Sequence, residues 1–203
     1  MKIYFARHGE SQANLLHQIS NRGLVHGLTR RGRQQAAALA EWLGEAAITH
    51  VYSSPVLRTI ETSIIVAGRL GVEYEVTEAL REYDCGVFEG RSDEEAWQAW
   101  KEVFDAWSEG QGWERRLEGG ESFYDIRARF VPFVDGLVRQ YGDRDVNLLC
   151  VSHGGVYRMM LPQILKGIDP AQLAISRIGY AGCCVAELTP AGLVYSYMRS
   201  GEG

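Results

Sequence analysis

The chain of 203 residues carries 21 basic and 26 acidic side chains, a formal net charge of −5 at pH 7, and 46% of its residues are hydrophobic. This ordinary globular profile excludes an intrinsically disordered chain and a small scaffold that depends on disulfides. The acidic balance argues against general affinity for nucleic acid. At this length we expect a single domain over residues 1–203.

The charge is unevenly distributed along the chain. Residues 1–60 carry a net charge of +4, residues 61–125 of −11, and residues 126–203 of +2. Eighteen of the 21 basic residues are Arg, whose forked guanidinium group suits carboxylates and phosphates. Most of these arginines are explained by composition alone, and a few occupy positions that indicate a function.

Short apolar runs alternate with helical patterns through the first half of the chain. Thr29, a residue type that caps helix N-termini, precedes apolar side chains at helical spacing, and Gly71 is placed to end a second helix. The predicted elements are strands over residues 2–6, 50–53 and 72–77, and helices over residues 30–47 and 55–70.

The second half opens on a helical pattern rich in tryptophan. Trp97, Trp100, Phe104 and Trp107 recur at helical spacing, and Ser122 is placed to cap a later, longer helix. The predicted elements are helices over residues 92–109 and 122–141, a Gly-rich loop over 110–120, a strand over 146–151, a helix that ends near 166, and strands over 184–188 and 194–198.

Apolar run lengths and cysteine spacing constrain the expected cellular location. No stretch approaches the roughly 18 apolar residues of a membrane-spanning helix, and the apolar N-terminal run is too short for a secretory signal. The four cysteines form no CxxC pair and no zinc-type spacing, so we expect free thiols in a reducing compartment. The sequence therefore predicts a cytoplasmic protein with no membrane partner and no nucleic-acid partner.

Strands that alternate with helices predict an α/β fold, a three-layer α/β/α sandwich with a mostly parallel central sheet. In such folds, ligands bind beyond the carboxyl ends of the strands. The acidic, Trp-bearing stretch of about residues 92–120 is expected to be a helical insertion that forms a lid over this edge. Residues 92–120 are called the lid segment below.

Three polar clusters follow predicted strands. Each alone has a simple explanation as exposed residues at a strand end. Together, two His and two Arg at one edge of a sheet can surround a tetrahedral anion, and phosphate is neutralised by such donors. The clusters consist of Arg7, His8, Gly9 and Asn14, of Ser53, Ser54 and Arg58, and of Ser152, His153 and Gly154.

A fourth element, residues 80–90, contains three carboxylates. Any of Glu82, Asp84 and Glu89 has the chemistry to protonate a leaving group, and charge counting does not choose among them. A solvated acidic loop is the simpler interpretation of the same residues.

In this order, the motifs resemble those of the histidine phosphatase superfamily, also called the phosphoglycerate mutase-like family. One motif carries little information, whereas six in order are highly specific. They are Arg7-His8-Gly9-Glu10-Ser11 with Asn14, Leu28-Thr29 with Gly32, Gln35 and Ala36, Ser53-Ser54-Pro55 with Arg58 and Thr62, Leu80 and Glu82 with Gly86, Glu89 and Gly90, Gly120-Glu121-Ser122, and Ser152-His153-Gly154-Gly155.

The resemblance implies a phosphohistidine mechanism, with His8 as the nucleophile and Glu82 as the proton donor to the leaving group. It implies neither a metal nor an organic cofactor. The predicted enzyme is a metal-independent phosphomonoesterase of the histidine acid phosphatase type that acts on a small phosphorylated metabolite. The implied phosphate-binding residues are Arg7, His8, Asn14, Arg58, His153 and Gly154, of which Arg7, Arg58 and His153 also count as catalytic.

Two other functions use the same residues. A phosphoglycerate mutase would transfer the phosphoryl group, and a non-catalytic module would bind a phosphorylated ligand without turnover. The compact length resembles the phosphatases of the family, and the presence of both His8 and Glu82 argues against the module.

The sequence of the lid segment does not identify the substrate. Its aromatic side chains either pack the insertion onto the domain, which helical spacing favours, or stack on an apolar leaving group. Its acidity disfavours highly phosphorylated substrates. No feature of the sequence indicates an oligomeric state.

Overall fold

The structure, a computed structural model, describes residues 1–169 and 178–201. Residues 170–177 and 202–203 of the predicted domain lie outside this description. The described residues form a six-stranded sheet with the order β3-β2-β4-β1-β5-β6. The strands are β1 (Lys2–Arg7), β2 (Ile48–Ser53), β3 (Tyr74–Val76), β4 (Asn147–Ser152), β5 (Cys183–Thr189) and β6 (Gly192–Arg199).

The sheet is mostly parallel, as the alternation of strands and helices predicts. β1 and β2 both pair in parallel with β4, and β3 pairs in parallel with β2. β5 runs antiparallel to β1 and forms a hairpin with β6 at the edge of the sheet. The helices are α1 (Gln12–Leu15), α2 (Arg30–Leu43), α3 (Leu57–Leu70), α4 (Glu94–Ser108), α5 (Phe123–Tyr141) and α6 (Gly154–Ile164).

Two hydrophobic cores cover the two faces of the sheet. Successive residues of β1 point to opposite faces of the sheet. Ile3 and Phe5 pack in one core with α5 and α6. Tyr4 and Ala6 pack in the other core with α2 and α3. The predicted three-layer α/β/α architecture is therefore confirmed.

Local signals account for several helix ends. Thr29 accepts a hydrogen bond from the backbone of Gly32, and Ser122 forms a capping box with Asp125. Gly71 ends α3 with φ of +69°, a left-handed conformation that favours glycine. The start of α3 differs from expectation, because Val56 is still extended and the helix begins at Leu57 rather than at Pro55.

The sheet register positions the polar clusters. Arg7 at the end of β1 lies opposite Ser152 at the end of β4, and Ser53 at the end of β2 lies opposite Val151. The three predicted clusters therefore leave the sheet at one edge. Within residues 1–169 and 178–201, no helix is long and apolar enough to cross a membrane.

Candidate active site

Arg58 lies at the centre of the converged clusters. Its Nε donates a hydrogen bond to Nε2 of His8 at 3.0 Å, and its Nη2 donates to Nδ1 of His153 at 3.0 Å. The two imidazole rings are 5.2 Å apart between centroids. The Arg58 side chain is 5% exposed, and burial lowers its pKa to about 10, so it remains charged near neutrality. One guanidinium group thus joins both predicted histidines.

The hydrogen bonds of His8 assign its tautomer. Its Nδ1 lies 2.7 Å from the carbonyl oxygen of Gly9, which accepts only, so Nδ1 carries the hydrogen and Nε2 carries the lone pair. Burial, with the charges of Arg58 and Arg7, holds the pKa of His8 well below its usual range. His8 is therefore a neutral imidazole whose Nε2 lone pair accepts the hydrogen bond from Arg58.

His153 has the opposite tautomer. Because its Nδ1 accepts from Arg58, its Nε2 carries the hydrogen and donates to the hydroxyl oxygen of Ser54 at 2.7 Å. Burial first, and then the charge of Arg58, hold the pKa of His153 well below its usual range. Ser54 belongs to the quoted motif, but sequence reasoning gave it no role.

Arg7 contacts two residues that lie far from it in the sequence, Ile178 and Tyr180. Its Nη1 donates to the carbonyl oxygen of Ile178 at 3.0 Å, and its guanidinium lies over the ring of Tyr180 at 4.4 Å. A Cβ on Gly154 would lie 3.3 Å from Nε of Arg7, so glycine permits the close approach of this arginine to the start of α6. No motif of the sequence signals the contact with Tyr180.

Glu82 lines the same pocket as His8 and Arg58, and it is held at the start of α6. Its carboxylate accepts backbone hydrogen bonds from Gly155 (3.1 Å), Val156 (2.9 Å) and Tyr83 (3.2 Å). Burial nevertheless raises its pKa, against these bonds and the charge of Arg58. A Cβ on Gly155 would lie 2.8 Å from the carboxylate, which explains the glycine at this position.

The other two carboxylates of the loop have structural partners. Asp84 accepts two hydrogen bonds from Arg22, at 2.8 and 2.6 Å. Glu89 accepts from the backbone N–H groups of Asn21 at 2.8 Å and Cys85 at 3.1 Å. Glu82 lines the pocket, so geometry separates three residues that charge counting leaves equivalent.

Asn14 and Gly154 complete the set of predicted positions. The carboxamide oxygen of Asn14 accepts from the backbone N–H and the hydroxyl of Ser11, at 3.0 and 2.8 Å. Its amide nitrogen is the group that it can offer to an anion. Both Asn14 and Gly154 line the pocket with Arg7, His8, Arg58 and Glu82.

The pocket has a volume of about 640 Å³, and α4 forms its outer wall. Trp97, Trp100 and Phe104 line this wall, whereas Trp107 is buried in the core. Phe104 serves both purposes: it is 3% exposed and stacks on Trp100 with ring centroids 4.7 Å apart. Packing onto the domain therefore accounts for Trp107 and Phe104, and stacking on a leaving group stays a prediction for the aromatic side chains that line the pocket.

Polar residues that sequence reasoning did not assign also line the pocket. Lys101 and Asp105 form an ion pair one turn apart on α4, and the guanidinium of Arg158 lies 4.6 Å from the ring centre of Phe104. Their spacing gives no recognisable motif, because they join the site through the packing of α4 against α6. Among residues 1–169 and 178–201, no group of three or more His, Cys, Asp or Glu side chains is placed to hold a metal.

This fold and this constellation define a class of protein. The family model of the histidine phosphatase superfamily (branch 1) matches residues 3–200. The chain belongs to this superfamily, in agreement with the resemblance of its six motifs.

Curated relatives include bifunctional enzymes. The chain is 40% identical over 165 residues to the 6-phosphofructo-2-kinase/fructose-2,6-bisphosphatase of Gallus gallus, a match covering 80% of this chain and 32% of that protein. The chain thus spans about a third of the length of the curated relatives that it matches.

Solved structures share the fold over nearly the whole chain. A mycobacterial glucosyl-3-phosphoglycerate phosphatase in complex with VO3 gives a TM-score of 0.82 at 24% identity and covers 99% of both chains. The α-ribazole phosphatase of Shigella flexneri gives 0.80 at 24% identity and covers 98% of this chain and 96% of its own.

Proposed function

We propose that this protein is a metal-independent phosphomonoesterase that hydrolyses a small phosphorylated metabolite through a phosphohistidine on Nε2 of His8. The observation that carries the proposal is the Arg58 guanidinium, which bridges two buried neutral histidines beside the pocket that Glu82 faces. Such a site offers a nucleophile, fixed cationic donors and a carboxylic acid around one position.

In the first step, the phosphate oxygens take the N–H donors of Arg7 and Arg58. The lone pair of His8 Nε2 then forms a bond to phosphorus, and the bond from phosphorus to the leaving oxygen breaks. Glu82 gives its proton to that oxygen. The products are the free alcohol, the phosphohistidine and the Glu82 carboxylate.

In the second step, water attacks phosphorus while the Glu82 carboxylate accepts a proton from it. The bond between Nε2 and phosphorus breaks, and its electron pair returns to His8. Inorganic phosphate leaves, and Glu82 is again protonated. The hydrogen bond from His8 Nδ1 to Gly9 holds the ring in place through both steps.

A phosphate dianion in the pocket also changes the electrostatic environment of His153. The resting charge of Arg58 disfavours the imidazolium, and a bound dianion offsets this charge. We expect the phosphate oxygens to replace His153 as acceptor of the Arg58 Nη2 hydrogen bond, and His153 then to gain a proton from solvent at the vacated Nδ1 and to donate it as a hydrogen bond to the phosphoryl oxygens.

The lowered pKa of His8 and the raised pKa of Glu82 support the finer assignment to the histidine acid phosphatase type, for which we expect an acid-type pH dependence. The lowered pKa of His8 keeps the nucleophile neutral below pH 6.5, and the raised pKa of Glu82 keeps the acid protonated above its usual range. We expect kcat/KM for an alkyl phosphate to be maximal on the acid side of neutrality and to fall as Glu82 ionises. A maximum above pH 8 would contradict this assignment.

The outer wall of the pocket supports a leaving group with a flat, weakly polar face. Trp97 and Trp100 offer ring surface to such a face, and Lys101 and Asp105 offer a donor and an acceptor to hydroxyl groups. Sugar phosphates combine these properties. Fructose 2,6-bisphosphate is a first candidate to test, because the curated relatives are named fructose-2,6-bisphosphatases.

The test is phosphate release from a panel of sugar phosphates, nucleotides, phosphoglycerates and phosphopeptides, with and without EDTA, by the protein and by His8→Ala. We expect the variant to lose essentially all turnover, and EDTA to have no effect. Full activity of His8→Ala, or loss of activity in EDTA, would contradict the mechanism. Isomerisation of 3-phosphoglycerate without phosphate release would identify a mutase instead, and binding without turnover would identify a module.

A further inference from the structure

Asn21 connects Arg58 to the loop that carries Glu82. Its carboxamide oxygen accepts a hydrogen bond from Nη2 of Arg58 at 3.3 Å, and its amide nitrogen donates to the carbonyl oxygen of Tyr83 at 2.9 Å. Tyr83 directly follows Glu82 in the chain. The Asn21 side chain is 8% exposed, so it makes these contacts in a largely dry environment where lost hydrogen bonds are costly.

The placement of Asn21 is itself enforced by a carboxylate. Glu89 accepts the backbone N–H of Asn21 with one oxygen and the backbone N–H of Cys85 with the other. This carboxylate therefore clamps the loop that follows α1 to the loop that carries Glu82. Asn21 also donates to the thiol sulfur of Cys85 at 3.4 Å, which adds to the same junction.

Arg58 depends on this junction for its outer contacts. Its inner N–H groups meet His8 and His153, whereas its outer ones meet the carbonyl of Ser20 and the carboxamide of Asn21. In the proposed first step, phosphate oxygens take the inner N–H groups. The outer contacts are then the ones that hold the orientation of the guanidinium, as catalysis by fixed donors requires.

We propose that Asn21 is a positioning residue that couples the orientation of the phosphate-binding Arg58 to the placement of the loop that holds Glu82. The proposal rests on the proposed function of the site. This role differs from general stabilisation because one side chain contacts both Arg58, which binds phosphate, and the loop of Glu82, which donates the proton. Phosphate binding and proton donation can be measured separately.

The experiment uses two readouts on Asn21→Ala. The affinity for orthovanadate, measured from the fluorescence of the pocket tryptophans, reports on the phosphate-binding side. The ratio of kcat for p-nitrophenyl phosphate to kcat for an alkyl phosphate reports on proton donation, since nitrophenolate leaves without a proton. We expect vanadate to bind about tenfold more weakly and the ratio to rise about tenfold, as the loss of one hydrogen bond on each side predicts.

Arg22→Ala is the matched control. Arg22 is the next residue of the chain and joins the same two loops at the surface through Asp84. It also donates to the carbonyl of Gly119 in the Gly-rich loop. We expect this variant to stay within about twofold of the parent protein in both readouts, as for most surface substitutions. Equal losses in Arg22→Ala and Asn21→Ala would show that loop loosening explains both and would overturn the proposal.

Two further variants keep the proposal falsifiable. Asn21→Ser retains a small polar side chain that falls short of both partners, and it replaces Asn21→Ala if that variant fails to fold. In an Arg58→Ala background, removal of Asn21 should weaken vanadate binding no further, and an unchanged tenfold loss there would overturn the coupling. Because the vanadate titration needs no turnover, it still tests Asn21 if the parent protein proves to bind phosphate analogues without hydrolysing esters.

Discussion

His8 and His153, the two histidines that Arg58 joins, differ in which ring nitrogen carries the hydrogen. The carbonyl of Gly9 selects the Nδ1–H form of His8, and Arg58 selects the Nε2–H form of His153. The lone pair of His8 Nε2 therefore points at the shared guanidinium, and in the proposed mechanism it is freed to attack phosphorus when phosphate oxygens take the Arg58 N–H donors. The proposed assignment of nucleophile and partner thus depends on single hydrogen bonds, because the two rings are otherwise similarly buried.

The role of Glu82 is tested by leaving groups of different basicity. We expect Glu82→Gln to lower kcat for an alkyl phosphate by about 10²- to 10⁴-fold, the usual contribution of a general acid, because an alkoxide leaves poorly without a proton. The loss for p-nitrophenyl phosphate should be much smaller. Asp84→Asn, in which a carboxylate of the same loop is replaced, is the control and should affect both substrates equally. Equal losses for both substrates in Glu82→Gln would argue against a proton donor.

At the scale of elements, α4 contributes to the core and to the pocket at once. Asp93 caps the helix by accepting from the backbone of Ala96, and Phe104 and Trp107 bury the side that packs on Tyr83. Trp97 is fixed at the rim, where its indole N–H donates to the carbonyl of His17 at 2.7 Å. An amphipathic pattern thus anchors the lid segment, and the aromatic surface left over forms the pocket wall.

Trp100→Ala tests this wall. We expect KM for a ring-bearing phosphate ester to rise about fivefold with kcat little changed, because stacking contributes about 0.5–1.5 kcal/mol beyond burial. KM for a small alkyl phosphate should stay nearly constant. Trp113→Ala removes a half-buried tryptophan that stacks on Phe123, with ring centroids 4.9 Å apart, and serves as the control. A similar rise of KM for both esters would show that Trp100 does not stack on the ring of the substrate.

At the scale of the whole molecule, the pocket makes stability depend on pH. The folded pKa values of His8 and His153 lie well below 6.5, so the unfolded chain binds more protons than the folded protein as the pH falls below 6.5. The free energy of unfolding should therefore decrease on acidification. Glu82 acts in the opposite direction, because its raised pKa favours the folded protein once the pH falls through that value.

Urea unfolding between pH 6.5 and 5.5 measures this linkage. We expect the free energy of unfolding to fall by up to about 1.4 kcal/mol per pH unit for each of the two histidines. His8→Asn removes one titrating group and should reduce the slope by about half. A free energy of unfolding that stays constant over this range would contradict the neutral, buried state of the pair.

The sequence by itself was sufficient for the α/β/α architecture and the membership of the superfamily. Alternation of strands and helices sets the layer arrangement, and motifs such as Arg7-His8-Gly9 and Ser152-His153-Gly154 are read from neighbouring residues. Caps such as Thr29 and Ser122 are equally local. These features are predictable because each depends on interactions within a few positions along the chain.

The tertiary structure decided what depends on residues distant in sequence. The contact between Arg58 and His153 joins positions 95 residues apart, and the contact between Arg7 and Ile178 joins positions 171 apart. Such contacts decide that Glu82 and not Asp84 lines the pocket, that Asn21 links Arg58 to the following loop, and that the lid aromatics divide between core and pocket wall. Sequence spacing gives the chemistry that each residue carries, but sheet register and loop packing determine which of these groups face one another across the pocket.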